Sequence, residues 1–373
     1  MDNTLQMRKI CVDARMIEHS GIGTYLRNLI PLLAERLRLS LIVSRVSLKT
    51  CPWLISYPLI FCEDPIYSVK EQIHLPCLIP WCDLFWSPHF NAPLFPIRAK
   101  KRLATIHDLY HLAFFSTLSL KKKLYAKVVI SQAMRRADRV ITASCFTLSE
   151  IEKFFPHERK KVSVIHCGVD AEHYSERIKK NEFSKRASLP QKYFLFVGNV
   201  KPHKNLSGLF RAFDLLAKEK KDVFLVIVGK DFETLLQALM RQFANIRDKV
   251  LWLNDVPHED LPIIYHRSLA LVFPSFYEGF GLPPLEAMAS SCVVIASRIA
   301  SIPEICEDAA FYVDPHDPLT IKDAMQRVLE GADLRKSLIE KGNKRVLQFS
   351  WKKSAEQHLA LIEDLLHENS ACS

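Results

Sequence analysis

"LALVFPSFYEGFGLPPLEAMASSCVVIAS", residues 269–297, is the stretch that decides the fold. Two short apolar runs flank a loop rich in glycine and proline and a segment with helical spacing. Continuous apolar runs of this kind are typical of strands covered by helices on both faces, and hence of parallel sheets. The stretch predicts a strand ending at Phe273, a loop around Glu278, and a helix beginning near Pro283 or Pro284, since proline suits a first helical turn.

Similar runs alternate with helix-like stretches along the whole chain of 373 residues, in two series. The predicted strands are Lys9–Val12, Leu39–Val46, Leu103–Ile106, Arg139–Thr142 and Val162–His166, followed by Tyr193–Val197, Phe224–Val228, Val250–Leu253, Ala270–Phe273, Val293–Ala296 and Phe311–Val313. Alternating strands and helices predict the α/β class, with two doubly wound, Rossmann-like domains. Ligands bind such open sheets outside the carboxyl ends of the strands.

The stretch between the two series is polar and lacks a strand pattern, which is typical of a linker. We therefore predict an N-terminal domain over residues 1–172, a linker over 173–190 and a C-terminal domain over 191–349. Residues 350–373 have apolar positions at helical spacing. They predict a helix that packs back on the first domain, with a surface helix on the second domain as the alternative.

The net charge of +10 is uneven along the chain. Residues 1–175 carry +9 and residues 176–373 carry +1, counted as lysine and arginine against aspartate and glutamate. The basic half predicts an anionic partner, either a membrane surface or a phosphorylated substrate, and ordinary solubilising charge is the alternative. Nucleic acid is not favoured, because no module of interleaved aromatic and basic residues accompanies the charge.

Two features predict a cytoplasmic protein. The N-terminus lacks the apolar stretch of a signal peptide, and the apolar region 53–61 falls short of the roughly 20 residues that span a bilayer. The 10 cysteines include no C-x-x-C pair, which favours free buried thiols over metal ligands or disulfides.

A glycine pair follows the first strand run, in SGIGTYLRNL, residues 20–29. Gly21 and Gly23 precede a helix pattern, so backbone N–H groups there could approach a phosphate or a sugar. A dinucleotide-binding loop needs a third glycine where this chain has Leu26. The pattern therefore argues against a nicotinamide-dependent oxidoreductase.

The run TIHDL places His107 and Asp108 at the carboxyl end of a predicted strand. An imidazole there can bind a sugar hydroxyl or exchange a proton near neutral pH, and a hydrogen-bonded interior histidine is the alternative. In GNVKPHKNL, residues 198–206, lysines and a histidine precede a predicted helix. Cations beside a helix N-terminus favour an anion such as a diphosphate, with a solvated basic turn as the alternative.

Glu278 and Glu286 have no lysine or arginine close by in the sequence to pair with. Carboxylates accept hydrogen bonds from vicinal hydroxyls, which ribose and hexoses present. With Glu278 in the loop and Glu286 in the first turn of the helix, we expect them to reach different parts of one ligand. Helix capping by Glu286 is the alternative.

In this order the motifs resemble the retaining glycosyltransferases of family 4, which have the GT-B fold. The most specific part is E-x7-E in EGFGLPPLEAMA; SGIGTYLRNL, TIHDL, HCGVD, GNVKPHKNL and ASRIASIPEICEDAAFYVDP accompany it along almost the whole chain. The resemblance implies two Rossmann-like domains facing across a cleft. It also implies hexose transfer, most similar to bacterial mannosyltransferases of surface polysaccharide and lipopolysaccharide synthesis.

The resemblance further implies roles for individual residues. Glu286 would hold the ribose hydroxyls of the nucleotide, and Glu278 and His107 would contact the donor sugar. Lys204 would bind the diphosphate, with Gly23 close to it. The other residues of the implied donor site are Gly279, Phe280, Gly281 and Leu282 through their main-chain groups and, around them, Gly21, Asp108, Asn199, Lys201 and His203.

The implied mechanism is front-face attack, in which the departing diphosphate accepts the proton of the acceptor. A double displacement would instead need a carboxylate on the opposite face. The chain has no Asp-x-Asp metal motif, so we expect neither a metal nor another cofactor. The expected partners are GDP-mannose or a UDP-hexose, a saccharide or lipid-linked acceptor, and an anionic membrane at its inner face. The segment FFSTLSLKKKLYAK, residues 114–127, would make that contact, with a solvated basic helix as the alternative.

Two positions depart from the family pattern. His203 and Thr24 stand where many relatives carry arginine, and both changes remove a cation near the diphosphate or the acceptor. Lys201 is a candidate replacement. The alternative function is therefore a nucleotide-sugar-binding protein on the same fold whose catalysis is weakened.

Overall fold

The structure is a computed structural model that describes residues 8–114, 120–180, 189–199, 201–230, 233–254 and 256–367. The chain divides into two compact units, residues 1–167 together with 351–373, and residues 168–350. Of the helices in the described part of the chain, none is both long and apolar enough to cross a membrane.

The first unit contains a parallel sheet of seven described strands in the order β3-β2-β1-β4-β5-β6-β7. The strands are β1 Lys9–Asp13, β2 Arg38–Val43, β3 Leu59–Phe61, β4 Cys82–Ser87, β5 Ala99–Ile106, β6 Arg139–Thr142 and β7 Val162–Val164. The helices between them are α1 Ser20–Ala34, α2 Ser47–Thr50, α3 Val69–Leu78, α4 Tyr110–Ala113, α5 Leu120–Arg136 and α6 Cys145–Phe154, with 3₁₀ turns at Pro52–Ser56 and Pro156–Lys161.

The second unit contains a parallel sheet of six described strands in the order β10-β9-β8-β11-β12-β13. The strands are β8 Tyr193–Val197, β9 Phe224–Val228, β10 Val250–Leu253, β11 Ala270–Phe273, β12 Val294–Ser297 and β13 Ala310–Val313. The helices are α7 Ala171–Lys180, α8 Leu206–Glu219, α9 Glu233–Gln242, α10 Leu261–Arg267, α11 Leu282–Ala289, α12 Ile302–Cys306, α13 Pro318–Glu330 and α14 Ala332–Val346, with 3₁₀ turns at Pro202–Lys204, Ala244–Lys249 and His258–Asp260.

The last helix, α15 Trp351–His367, belongs to the first unit, where it packs against α1. Its apolar face, which includes Ala355, Leu359 and Ile362, is buried. The prediction of two doubly wound α/β halves is confirmed.

Two strands of the first unit were absent from the sequence prediction. β3 is a short edge strand, whereas β4 is central and pairs with both β1 and β5. Asp83 interrupts the apolar run of β4, which hid the strand pattern. In the structure its carboxylate accepts hydrogen bonds from the backbone N–H of Lys9 at 2.9 Å and from Nζ of Lys100 at 3.0 Å, so it is tolerated in a strand.

The predicted linker does not begin as an extended segment. Residues 171–180 form α7, which packs against α10 and α11, and the second unit begins at Gly168. Tyr174 is the buried aromatic residue of α7. Because most of the other residues of this helix are charged or polar, the sequence predicted a polar linker here. Residues 181–188 of the predicted linker lie outside the described residues.

Each sheet has one point at which the strand order reverses. In the first unit it lies between β1 and β4, and in the second between β8 and β11. At such a point the helices that follow the two strands lie on opposite faces of the sheet, which opens a crevice at the carboxyl ends. The loops after β1, β4, β8 and β11 are therefore the positions at which this fold places ligands.

Asn205 ties together three loops at the carboxyl end of the second sheet. Its Oδ1 accepts from the backbone N–H of Gly208 at 3.1 Å and caps α8. Its Nδ2 donates to the carbonyl oxygens of Pro274 at 3.1 Å and Pro315 at 2.7 Å. Asn205 does this from a left-handed backbone conformation with φ of 55°, which asparagine tolerates better than most residues.

Asn205→Ala removes a helix cap worth about 1 kcal/mol and leaves two buried carbonyl oxygens without a donor, at roughly 1–3 kcal/mol each. We expect it to lower the free energy of unfolding by about 3 kcal/mol or more in urea denaturation followed by circular dichroism. Asn205→Gly relieves the left-handed strain but should still lose most of this stability, because the carbonyl partners are gone. The exposed Asn343 is the matched control, and Asn343→Ala should cost less than about 0.5 kcal/mol; similar losses at the two sites would refute the anchor.

Candidate functional site

Lys204 and Glu278 form an ion pair at the reversal point of the second sheet. Nζ of Lys204 lies 2.7 Å from Oε1 and 2.8 Å from Oε2 of Glu278. Lys204 ends the 3₁₀ turn after β8, and Glu278 lies in the loop after β11, so the pair joins the two loops. The cation that Glu278 lacks in its sequence neighbourhood therefore comes from a residue 74 positions earlier.

The ion pair is enclosed but not sealed from solvent. The side chain of Lys204 is 13% exposed and that of Glu278 is 10% exposed. The ammonium also lies 5.2 Å from the ring centre of Phe273, at a distance typical of a cation–π contact. An ammonium has three N–H donors, so Lys204 can hold Glu278 and still donate to an anion.

The loop that carries Glu278 is held through its main-chain carbonyl groups. Oγ of Ser301 donates to the carbonyl oxygens of Glu278 at 3.0 Å and Phe280 at 2.6 Å. Gly281 has a φ of +118°, and a Cβ there would lie 3.0 Å from Cδ1 of Ile302. Only glycine fits this turn without strain, and the turn starts α11 at Leu282, close to the predicted start.

Glu286 lies in the second turn of α11, not in its first turn as predicted. It is 9% exposed, and its Oε2 accepts a hydrogen bond from the hydroxyl of Tyr265 at 2.9 Å. Burial raises the pKa of Glu286, and the Tyr265 hydrogen bond opposes that rise. The capping alternative is thereby wrong, because the carboxylate is bound to a side chain of α10 rather than to the N-terminus of its own helix.

Gly21 and Gly23 lie inside the first turns of α1 rather than before it, because His19 is the N-cap residue. The N–H of Gly23 donates to the carbonyl oxygen of His19, so it is already used. A Cβ at Gly23 would press on the carbonyl oxygen of Ile17 and lie 2.9 Å from Nη1 of Arg27. Gly23 thus provides close packing, whereas Gly21 faces open space.

Arg27 brings a guanidinium to the same turn of α1. Its Nη1 donates to the carbonyl oxygen of Ile17 at 2.6 Å, and its Nη2 donates to Oγ1 of Thr24 at 3.3 Å. A cation therefore lies against the position where the family pattern expects arginine. The spacing from Thr24, one helical turn, was visible in the sequence but was not used.

His107 follows β5, and its ring proton can be located. Nε2 lies 2.8 Å from the carbonyl oxygen of Pro88. Because a carbonyl oxygen only accepts, Nε2 carries the proton in the neutral ring and Nδ1 presents a lone pair. Burial lowers the pKa of His107, and the Pro88 hydrogen bond opposes that effect, so the ring is neutral at pH 7. His107 can thus accept a hydrogen bond at Nδ1.

The other predicted residues differ in their hydrogen bonds and exposure. Oδ1 of Asp108 accepts from the backbone N–H of Tyr110 at 3.0 Å, which supports the start of α4. Oδ1 of Asn199 is buried and has no hydrogen-bond partner within the described part of the structure. Lys201 is exposed, and the carbonyl oxygen of His203 accepts from the backbone N–H of Phe276 at 2.7 Å.

Sequence reasoning missed Tyr265, Asn205 and Tyr25. Asn205 carried a recognisable signal, since asparagine directly before a helix pattern is a favoured N-cap. Tyr265 and Tyr25 act through contacts that are distant in sequence and had no local signal. Among the described residues, no group of three or more histidine, cysteine, aspartate or glutamate side chains could hold a metal ion; independence from metal stays a prediction.

Two family models match the chain. The model for Glycosyltransferase Family 4 matches residues 19–173, and the model for Glycosyl transferases group 1 matches residues 177–345. O-antigen chain mannosyltransferase B of Escherichia coli is 29% identical over 74% of this chain and 72% of its own length. O-antigen chain mannosyltransferase RfbU of Salmonella typhimurium is 30% identical over 66% of this chain and 64% of its own length. The structure of Anabaena HepE in complex with UDP and glucose has a TM-score of 0.78 at 17% identity, covering 96% of this chain and 100% of that chain.

We expect Tyr265→Phe to raise the pKa of Glu286 further, because the variant loses the hydrogen bond that favours the charged carboxylate while burial remains. The pKa is read from a pH titration of carboxyl-labelled glutamate by ¹³C NMR. Tyr193→Phe is the control, because Tyr193 is also buried but donates its hydroxyl to the carbonyl oxygen of Ile264 at 2.6 Å. An unchanged or lower pKa of Glu286 in Tyr265→Phe would contradict the assignment.

Proposed function

Since the chain belongs to the glycosyltransferases, with a Family 4 half and a group 1 half on the GT-B fold, we propose that it transfers a hexose from a nucleoside diphosphate sugar with retention of configuration. The proposed acceptor is a saccharide or a lipid-linked saccharide. Mannose is the favoured sugar, because the two relatives described above are named O-antigen chain mannosyltransferases. GDP and UDP are the candidate nucleotides, and HepE supports UDP.

The observation that carries this proposal is the ion pair of Lys204 and Glu278 at the reversal point of the second sheet. A diphosphate sugar needs a cation for its phosphates and an acceptor for its hydroxyls within a short distance. Lys204 provides the cation, and the lone pairs of Glu278 not used by Lys204 provide the acceptor. Glu286 offers Oε1 to the ribose hydroxyls while Tyr265 holds Oε2.

In the proposed mechanism the acceptor oxygen bonds to the anomeric carbon on the face from which the diphosphate departs. The bond from that carbon to the diphosphate oxygen breaks, and the acceptor proton passes to the leaving diphosphate. Lys204 and main-chain N–H groups of the loop at residues 279–282 balance the negative charge that develops. Nδ1 of His107 accepts a hydrogen bond from a hydroxyl of the donor sugar. No step in this scheme calls for a metal ion.

The alternative is a nucleotide-sugar-binding protein with weakened catalysis, which the departures at Thr24 and His203 favour. Arg27 weighs against it, because its guanidinium reaches Oγ1 of Thr24 from within the same helix. Lys201 lies in the same loop as His203 and is exposed. Both positions that lack the family's arginine thus have a cation close by in the chain.

We expect the protein to release nucleoside diphosphate from GDP-mannose or a UDP-hexose in the presence of a saccharide or lipid-linked acceptor. The new linkage should keep the anomeric configuration of the donor, as read from the anomeric proton coupling by NMR. Glu278→Ala should lower turnover about 100-fold or more, because it removes the sugar contact and the partner of Lys204. Glu340→Ala, at an exposed glutamate on α14, is the control and should retain full turnover.

The same assay separates the competing readings. Binding of a nucleotide sugar without turnover would favour the weakened protein over the enzyme. Absence of binding across the donor panel would reject both. Excess EDTA should leave turnover unchanged. Loss of turnover on adding EDTA would contradict a reaction without metal.

We also propose that the first unit contacts an anionic membrane. Of the 12 exposed large hydrophobic residues in the described part of the chain, 10 belong to the first unit. Val69 and Ile73 are exposed on α3, and Leu124 and Val128 on α5, each pair one turn apart. The crossovers containing α3 and α5 run in the same direction along the sheet, so right-handed connections put both helices on one face.

Lysines accompany these apolar side chains, which suits an anionic lipid surface. Lys70 lies on α3, and Lys123 and Lys127 lie on α5. The segment predicted from the sequence, residues 114–127, includes residues 115–119, which lie outside the described residues. The support for the contact therefore comes from α3 and from the part of α5 after residue 122.

We expect the protein to sediment with vesicles that contain phosphatidylglycerol and to be released by 1 M salt, because the screening length falls to about 3 Å. Replacing Val69 and Ile73 together by serine should lower the bound fraction several-fold. Leu319→Ser is the control, because Leu319 is a comparably exposed apolar residue of the second unit. Equal binding to neutral vesicles would contradict the preference for an anionic surface, and no binding at all would leave only a solvated basic face.

A further inference from the structure

His358 is a buried imidazole on the apolar face of α15, and the proposed reaction gives it no role. It is 0% exposed, and burial lowers its pKa to about 4, so it is neutral at pH 7. Burying such a polar ring costs free energy unless its nitrogens are hydrogen-bonded. The partners of His358 therefore indicate what it does.

The hydrogen bonds of His358 have a defined direction. Nδ1 lies 2.7 Å from the carbonyl oxygen of Ser354, which only accepts, so Nδ1 carries the proton. Nε2 therefore presents a lone pair, and it lies 2.5 Å from the hydroxyl oxygen of Tyr25. Tyr25 must be the donor in this bond. α15 thus holds the tyrosine of α1 across 333 positions of sequence.

Tyr25 is fixed on its other sides as well. Its hydroxyl oxygen lies 3.5 Å from Oγ1 of Thr105, which accepts from Nε1 of Trp86 at 3.0 Å. The Tyr25 ring is 1% exposed and has an edge contact with the ring of Trp86 at 6.0 Å between centroids. These contacts leave the tyrosine a single position and orientation.

The Tyr25 ring is also a direct neighbour of His107. Their centroids are 4.9 Å apart, and the planes meet at 87° in an edge-to-face contact. The bond from Nε2 to Pro88 fixes one point of the His107 ring but leaves the ring free to turn about that bond. The Tyr25 contact fixes the plane, and with it the direction of the Nδ1 lone pair.

We propose that Tyr25 and His358 are positioning residues that orient the imidazole of His107, so that the C-terminal helix takes part in setting the catalytic geometry. This inference rests on the proposed role of His107 in contacting the donor sugar. It assigns to His358 a function in transfer although His358 acts only through Tyr25.

Tyr25→Phe removes the hydroxyl and keeps the ring, His358→Leu removes the acceptor, and His358→Gln restores an acceptor near the place of Nε2. We expect the first two variants to lower kcat about 10-fold with the KM for the donor changed less than about two-fold, since misorientation acts mainly on the reacting geometry. His358→Gln should recover most of the activity. In a His107→Ala background, Tyr25→Phe should lower kcat no further.

A second measurement does not depend on turnover. Ring ¹H–¹³C NMR of labelled histidine should show one sharp set of His107 ring signals in the wild type. In Tyr25→Phe and His358→Leu these signals should broaden or double, because the ring then takes more than one orientation. Tyr193→Phe, which loses a buried hydroxyl hydrogen bond in the second unit, should lower the melting temperature and leave both kcat and the His107 ring signals unchanged.

The outcomes separate the two proposals. One sharp, unshifted set of His107 ring signals in all variants, or independent losses of kcat in the His107→Ala background, would overturn the positioning role. If His107→Ala leaves turnover intact while the His107 ring signals still respond to Tyr25→Phe, then the role of His107 in transfer fails and the orienting contact holds.

Discussion

The side-chain amide of Asn205 is the contact on which the second unit's site depends. It caps α8 and binds the carbonyl oxygens of Pro274 and Pro315, so the loops after β8, β11 and β13 keep one arrangement. A Cβ at Gly208 would lie 2.5 Å from Oδ1 of Asn205, so the cap also requires glycine three positions on. Lys204 directly precedes Asn205, and its Nζ lies 2.7 Å from Oε1 of Glu278. The hydrogen bonds of Asn205 thus hold the two loops that carry this ion pair. The ligand-binding chemistry thus rests on a neutral amide that touches no ligand in the proposed scheme.

In the first unit, buried charged side chains rather than a neutral amide hold the carboxyl ends of the strands. Parallel strands covered on both faces leave polar groups only at their ends, and those groups must find partners inside the protein. Arg15 donates to both oxygens of Asp13, at 2.8 and 2.7 Å, and to Glu71 at 2.6 Å. Burial disfavours the charged form of Asp13, but Arg15 outweighs it and holds the pKa of that carboxyl well below its usual range. Asp13 is the last residue of β1, so this network fixes the carboxyl end of that strand, at the same edge of the sheet as the end of β5, which His107 follows.

Local patterns and long-range contacts explain what the sequence could and could not predict. The described strands of the second unit were all predicted, because each is a continuous apolar run, whereas Asp83 hid β4. The motif around Glu278 indicated the loop and the start of α11, since the turn needs glycine and the helix tolerates proline there. The partners were beyond reach: Lys204 pairs with Glu278 over 74 positions and Tyr25 with His358 over 333. Such pairs depend on which strands become neighbours, and no local pattern in the sequence shows them.

The two glutamates of the E-x7-E motif have different surroundings, one paired with a cation and the other buried beside a hydroxyl. This difference suits their separate proposed roles. Glu278 has a cation in contact with both oxygens, so its charge is balanced before any ligand arrives. Within the described part of the chain, the hydroxyl of Tyr265 is the one hydrogen-bond donor to the carboxylate of Glu286, and burial raises the pKa of Glu286. Such a carboxylate is under-solvated and gains more from each further hydrogen-bond donor than a solvated one would. In the proposed site the ribose hydroxyls would supply such donors, so the desolvation that disfavours the charge of Glu286 in the unliganded protein would favour nucleotide binding there.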